Sequence, residues 1–169
     1  MTIHAGHPFA EPDESRDVVR RFRGRLGGGV SLWTSGAEQP WAGLTVTSLM
    51  VAAGEPARIL ALLDPEADLT EALLTTGAAV VSLVDWTDRA LAEMFAGTAP
   101  APGGSFAHGS FEQTAWGPRL TTSDTWAGVR LEDSRETGWS VLVTTVVEHA
   151  EVGEDDDPLG HRRGRWTHG

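Results

Sequence analysis

Residues Trp41-Ala42-Gly43-Leu44-Thr45-Val46-Thr47-Ser48 form a short run in which hydroxyls alternate with apolar side chains. A strand of this kind ends in Thr and Ser groups and backbone N–H groups that can hold a ligand. Most other chemistries lack their residues. The chain has no Cys, which excludes disulfides, thiolate metal sites, iron–sulfur clusters and cysteine nucleophiles. Its six His are scattered and no H-E-x-x-H occurs, which argues against catalytic zinc. His4 and His7 stand too near a free end to count as a metal site. No G-x-S-x-G marks a serine hydrolase. Neither G-x-G-x-x-G after a strand nor G-x-x-x-x-G-K-[ST] is present, so the usual dinucleotide and triphosphate folds are not indicated.

Hydroxyls and N–H groups at a strand end suit a flavin. Its ring offers acceptors at O2, O4, N1 and N5 and a donor at N3, and the cofactor brings its own redox chemistry. Thr is also common in strands by propensity alone, so the pattern by itself leaves both readings open.

The elements that would position this segment can be read along the chain. A length of 169 residues predicts one domain over 13–169, with a flexible arm over 1–12 that contains Gly6, Pro8 and Pro12. Asp13 is placed to cap a helix beginning near Glu14. Val18, Val19, Phe22 and Leu26 recur at helical spacing, with Arg16, Arg20, Arg21, Arg23 and Arg25 on or beside the other face. Gly27-Gly28-Gly29 ends this helix and reads as a turn, because a phosphate-cradling Gly run needs a strand before it and a helix after. Three β-type runs follow, Val30 to Ser35, Gly43 to Val51 and Arg58 to Asp64, joined closely enough to be antiparallel neighbours. Asp68-Leu69-Thr70-Glu71 reads as a capping box for a helix over 69–76, which Gly77 stops. Ala78 to Val84 reads as a buried strand carrying one hydroxyl, Ser82.

Thr87 or Asp88 opens a helix through Met94 and Phe95. The stretch Thr98 to Gly109 has loop composition and a length typical of a lid or a partner contact. Phe111 to Trp116 suggests a short strand before the turn Gly117-Pro118. Trp126 to Ser134 and Ser140 to Val147 are the last strong strands. Glu154 to Asp157 is a solvated acidic turn, since the spaced calcium-loop pattern is missing. The basic tail, Leu159 to Trp166, packs an edge. The sum is a mainly β protein with helices, in which six or seven strands close into an antiparallel barrel with helices at its ends.

The formal charge of −11 argues against general affinity for nucleic acid or anionic lipid. No stretch is apolar for the ~20 residues that cross a bilayer, and Met1 to Ala10 lacks a secretory pattern. A soluble cytoplasmic protein with no membrane or nucleic-acid partner is the expectation.

Together these segments resemble the flavin reductase-like domain family. The carriers are Arg20 to Leu26, Gly29-Val30 with Trp33-Thr34, Gly43 to Ser48, and Asp85 to Arg89 leading into Leu91-Ala92 and Phe95-Ala96-Gly97. Trp116-Gly117-Pro118, Pro158-Leu159 and Arg163-Gly164-Arg165-Trp166 complete the set, over Val18 to Trp166. The resemblance implies an FMN-binding split β-barrel of antiparallel Greek-key type that commonly forms a homodimer. It also implies hydride transfer from NADH or NADPH to flavin, with FMN the expected cofactor and FAD or riboflavin possible. Reduced flavin would serve a partner monooxygenase or the enzyme's own substrate.

By the same resemblance, Thr45, Val46, Thr47 and Ser48 lie along the ring, and Leu62, Leu63 and Asp64 approach it. Ser82 stands where such families usually carry Asn, and a hydroxyl lacks the paired donor and acceptor of an amide. Arg89 helps hold the phosphate, which a guanidinium binds bidentately. Many reductases of this kind carry Gly-Asp-His before the penultimate strand. The aligned residues here are Gly138-Trp139-Ser140. That departure motivates a second reading, a non-catalytic flavin-binding or carrier protein. A third is a barrel for another planar ligand, such as haem or a deazaflavin.

Overall fold

In the computed structural model, residues 14–169 are described, with side chains from Val18 onward. The arm expected over 1–12 and the Asp13 cap lie outside the described residues. Helix α1, Glu14–Leu26, ends at Gly27, whose φ of 64° is left-handed. Strand β1, Gly28–Gly29, then leads into β2, Ser31–Ser35, whose five residues are all buried. Next come β3, Ala42–Val46, β4, Leu49–Ala52, and β5, Arg58–Leu63. Helix α2, Asp68–Thr76, and the buried strand β6, Ala78–Leu83, follow. A single 3-10 turn, Trp86–Asp88, runs into helix α3, Arg89–Phe95.

The rest is β structure apart from one more 3-10 turn, Ser105–His108. Strands β7, Phe111–Gln113, and β8, Pro118–Leu120, pair with each other. Two twelve-residue strands, β9, Trp126–Thr137, and β10, Ser140–Glu151, form a hairpin turned at Gly138-Trp139. The tail forms a second hairpin, β11, Leu159–Arg162, with β12, Arg165–His168. Its first strand pairs with β1, so the tail does pack an edge.

Seven strands make one antiparallel sheet in the order β3-β2-β6-β9-β10-β5-β4. The run expected over 43–51 is therefore not one strand. It breaks at Thr47-Ser48, and its halves lie at opposite edges of the sheet. Two residues can join the two edges only if the sheet curls nearly closed, as a split barrel does. The curl wraps a core built on Trp33, Val46, Ile59, Leu63, Val81, Val129 and Val143, with Leu69 and Leu73 of α2 filling one end. Trp33 is fully buried, and its indole N–H donates to the Ser31 hydroxyl at 3.1 Å. A second core on the other side gathers Val30, Leu32, Leu91, Phe95, Leu120 and Leu159.

Gly43 permits that second packing. A Cβ there would meet Phe95 Cε1 at 2.6 Å, so any side chain would push α3 off β3.

One local expectation is corrected. The capping box at 68–71 does not form: Ala67 is the N-cap and no side chain bonds the helix start. The helix starts one residue earlier than the box requires, at Asp68, and the buried Thr70 hydroxyl donates to the Asp64 carbonyl at 2.6 Å, tying the first turn to the end of β5. The apolar stripe of α1 lies outside both cores. Val18, Val19, Phe22 and Leu26 are 59 to 70% exposed.

Candidate functional site

The break at Thr47-Ser48 is where a cleft opens. Ser48 is fastened to β5 twice: its carbonyl accepts from Leu62 N–H at 3.0 Å, and its hydroxyl donates to the Leu62 carbonyl at 2.7 Å. Thr47 is exposed beside it. Around these two residues lies a cleft of about 940 Å³, within the size range of small-molecule sites. One wall is apolar: Leu49 and Met50 from β4, Leu60 and Leu62 from β5, and Leu142 from β10. Leu62 and Leu142 are direct cross-strand partners, so they present adjoining side chains.

The facing wall is cationic. It comprises Arg20, Arg21, Arg23 and Arg25 of α1, with His161 and Arg163 of the tail hairpin. The Arg163 N–H donates to the Gly24 carbonyl at 2.9 Å, and Arg162 Nε donates to the Arg25 carbonyl at 3.2 Å, which ties the helix end to the hairpin. Among the described residues no carboxylate lies within ion-pair distance of these five cleft arginines. Guanidinium groups clustered in this way have the geometry and charge that suit an anionic group such as phosphate.

Of the residues expected at the site, Thr47, Ser48 and Leu62 line this cleft together. The others lie elsewhere. The Thr45 hydroxyl donates to the Ala92 carbonyl at 2.7 Å and so anchors α3 to β3. Val46 and Leu63 are 3% and 1% exposed and belong to the barrel core. Asp64 Oδ1 accepts from Glu66 N–H at 2.9 Å, organising the turn into α2. Ser82 is buried between Leu32 and Trp126 on neighbouring strands, with no partner for its hydroxyl among the described residues.

Arg89 lines a second cleft of about 540 Å³, with Trp86, Glu93, Thr98, Arg165 and Trp166. His161 and Gly164 line both clefts, so the two adjoin at the tail hairpin. The Arg89 guanidinium lies 4.2 Å from the centre of the Trp86 ring, a cation–π distance. Asp85, just before Trp86, has its carboxyl pushed above the ordinary range, first by burial and then by Asp88, Asp155, Asp124 and Asp156.

The sequence profile of the family described as "Flavin reductase like domain" matches residues 23–169. The chain belongs to the flavin reductase-like family. No curated protein matches it. Among solved structures it is similar to the flavin reductase PheA2, with 19% identity and a TM-score of 0.82 over 93% of this chain and 98% of that one. It is also similar to the NADH:FAD oxidoreductase SgcE6 of Streptomyces globisporus C-1027, at 19% identity and TM-score 0.81, covering 95% and 98% of the two chains. A third is the styrene monooxygenase flavin reductase of Pseudomonas putida S12, at 19% identity and TM-score 0.77, covering 88% and 95%. These likenesses establish the split-barrel fold. Family membership agrees with the resemblance carried by the segments from Arg20 to Trp166.

Sequence reasoning missed the apolar wall and the place of α1 beside the cleft. Leu142 and Leu60 look like any strand residues until pairing sets them side by side. The arginines of α1 were visible as a stripe, but their facing a cleft depends on where the tail hairpin docks.

Proposed function

We infer that the protein is a flavin reductase, passing hydride from NADH or NADPH to a flavin. The observation that carries this reading is the cleft at Thr47-Ser48, lined by an apolar leucine wall and by five arginines that have no carboxylate partner among the described residues. Its donor set fits a flavin nucleotide. Leu60, Leu62 and Leu142 offer a water-excluding face for a planar ring, Thr47 offers a hydroxyl at its edge, and the arginines offer a seat for phosphate. A bound flavin supplies the two-electron chemistry; the chain supplies binding, orientation and exclusion of water.

FMN is the first candidate cofactor, with FAD or riboflavin as alternatives. The reading includes a cytoplasmic protein that hands reduced flavin to a partner monooxygenase. It also includes a homodimer. Val18, Val19, Phe22 and Leu26 of α1 and Met50 and Val51 of edge strand β4 are exposed in the single chain, Leu26 and Met50 at the cleft itself, and a second copy would cover them.

The hairpin tip at Gly138-Trp139 favours a second reading, that of a flavin carrier. It presents Trp139-Ser140 where the family pattern has a carboxylate and an imidazole. Anaerobic titration of flavin-loaded protein separates the two. Bleaching of the flavin absorbance near ~450 nm by NADH or NADPH is expected of the reductase. Retained colour with bound flavin leaves the carrier, and protein that binds no flavin removes both.

A further inference from the structure

The tail hairpin turns at a residue whose type does not match its backbone. Arg162 and Arg165 are cross-strand partners, so Arg163-Gly164 alone make the turn. Their φ angles are 55° and 75°. A two-residue turn with both central φ positive suits the right-handed twist of its strands, and Asn-Gly is its usual sequence. Gly164 fits this geometry. Arg163 does not: it is the one non-glycine residue with positive φ among the described residues. In that conformation the Cβ of an L-residue crowds the carbonyl oxygen that follows it.

What the fold uses at this position is the main chain. The Arg163 N–H donates to the Gly24 carbonyl at 2.9 Å, and α1 packs directly over the turn, so that a Cβ on Gly24 would lie 3.7 Å from the Arg163 Cα. Asn or Gly would make the same backbone bond with less strain. The Arg163 side chain is exposed, has no carboxylate partner among the described residues, and lines the cleft at Thr47-Ser48. The other four arginines of that cleft sit on α1, where arginine is a good helix former. Arg163 alone holds its place against the preference of its backbone. Strain kept in an exposed turn, with no packing to demand the side chain, points to a ligand that the side chain meets.

We propose that Arg163 is a specificity-determining residue of this cleft. The strained turn, tied to α1, fixes one guanidinium at the cleft, and that group selects a flavin carrying phosphate over riboflavin. This rests on the flavin reading of the cleft and names a residue that sets its ligand class. The position exchanges stability for selectivity, as sites under functional demand do.

The test uses two variants, Arg163→Asn and Arg163→Lys, and three measurements on each and on the wild type: a thermal melt without ligand, and calorimetric titrations with FMN and with riboflavin. Arg163→Asn is expected to melt about 2 °C higher, because Asn tolerates the left-handed conformation. Its FMN affinity should fall about tenfold, the scale of one charge-assisted hydrogen bond, with riboflavin affinity held within about twofold. Arg163→Lys keeps both the charge and the strain, so it should melt with the wild type and hold FMN affinity within about threefold. A residue with a merely structural role behaves otherwise: its loss lowers the melting temperature and moves both flavins alike. An unchanged ratio of FMN to riboflavin affinity in Arg163→Asn overturns the proposal, and so does a lower melting temperature in that variant. Failure of the wild type to bind either flavin overturns the flavin reading itself, and the ligand-free melts still report whether the turn is strained.

Discussion

At the scale of single residues, two hydroxyls that look equivalent in the sequence have different work. The Thr45 hydroxyl is spent on the Ala92 carbonyl, whereas Thr47 is exposed on the cleft. Thr45→Val is therefore expected to lower stability by about 1 kcal/mol, the usual worth of such a hydrogen bond, and to leave flavin affinity unchanged. Thr47→Val should do the reverse, weakening FMN severalfold with little change in urea midpoint. Calorimetric binding and urea melts on both variants check the pair. Asp85 gives a pH-dependent case. Its folded-state pKa is raised, so its contribution to stability is fully present below the ordinary carboxylate value and is lost as pH rises through the folded value. At neutral pH the ionised group is a burden, and its side chain makes no cap bond that a substitution would break. Asp85→Asn should raise the melting temperature at pH 7, with the gain shrinking toward pH 4.

At the scale of elements, much was legible. The helices, the β-runs and the αL stop at Gly77 follow from periodicity and turn residues. The break in the second run was not legible, because Thr47 and Ser48 have strand-compatible side chains. What splits the run is the pairing of Ser48 with Leu62, a contact fixed by the whole sheet. The resemblance placed Val46 and Leu63 near the ring; the alternation that carries the Thr47 side chain to the cleft carries theirs into the core. Helix α1 taught the opposite lesson. Its apolar stripe was plain, but an apolar stripe names no partner. If that stripe is the seat of a second copy, native mass measurement should give twice the chain mass for the wild type. Phe22→Asp, at a side chain 68% exposed in the single chain, should give the single mass without loss of secondary structure.

At the scale of the whole molecule, the chain concentrates scarce positive charge. All thirteen cationic side chains are Arg, and five of them line one cleft of a protein with net charge −11. The fold class was readable because many weak local signals agreed. The cleft was not, because it exists only where three distant pieces meet: the end of α1, the break in the second run, and the tail hairpin. Each piece reads as ordinary surface by itself.

The two-residue crossing at Thr47-Ser48 has a mechanical consequence. It is the clasp of the curled sheet, and the same clasp lines the cleft. A molecule seated against it resists the sheet springing open, so occupancy and closure are one equilibrium. Backbone amides of the edge strand β4 should exchange with deuterium more slowly when flavin is present, by a factor that follows flavin concentration. Equal exchange with and without flavin would mean that the clasp holds by itself.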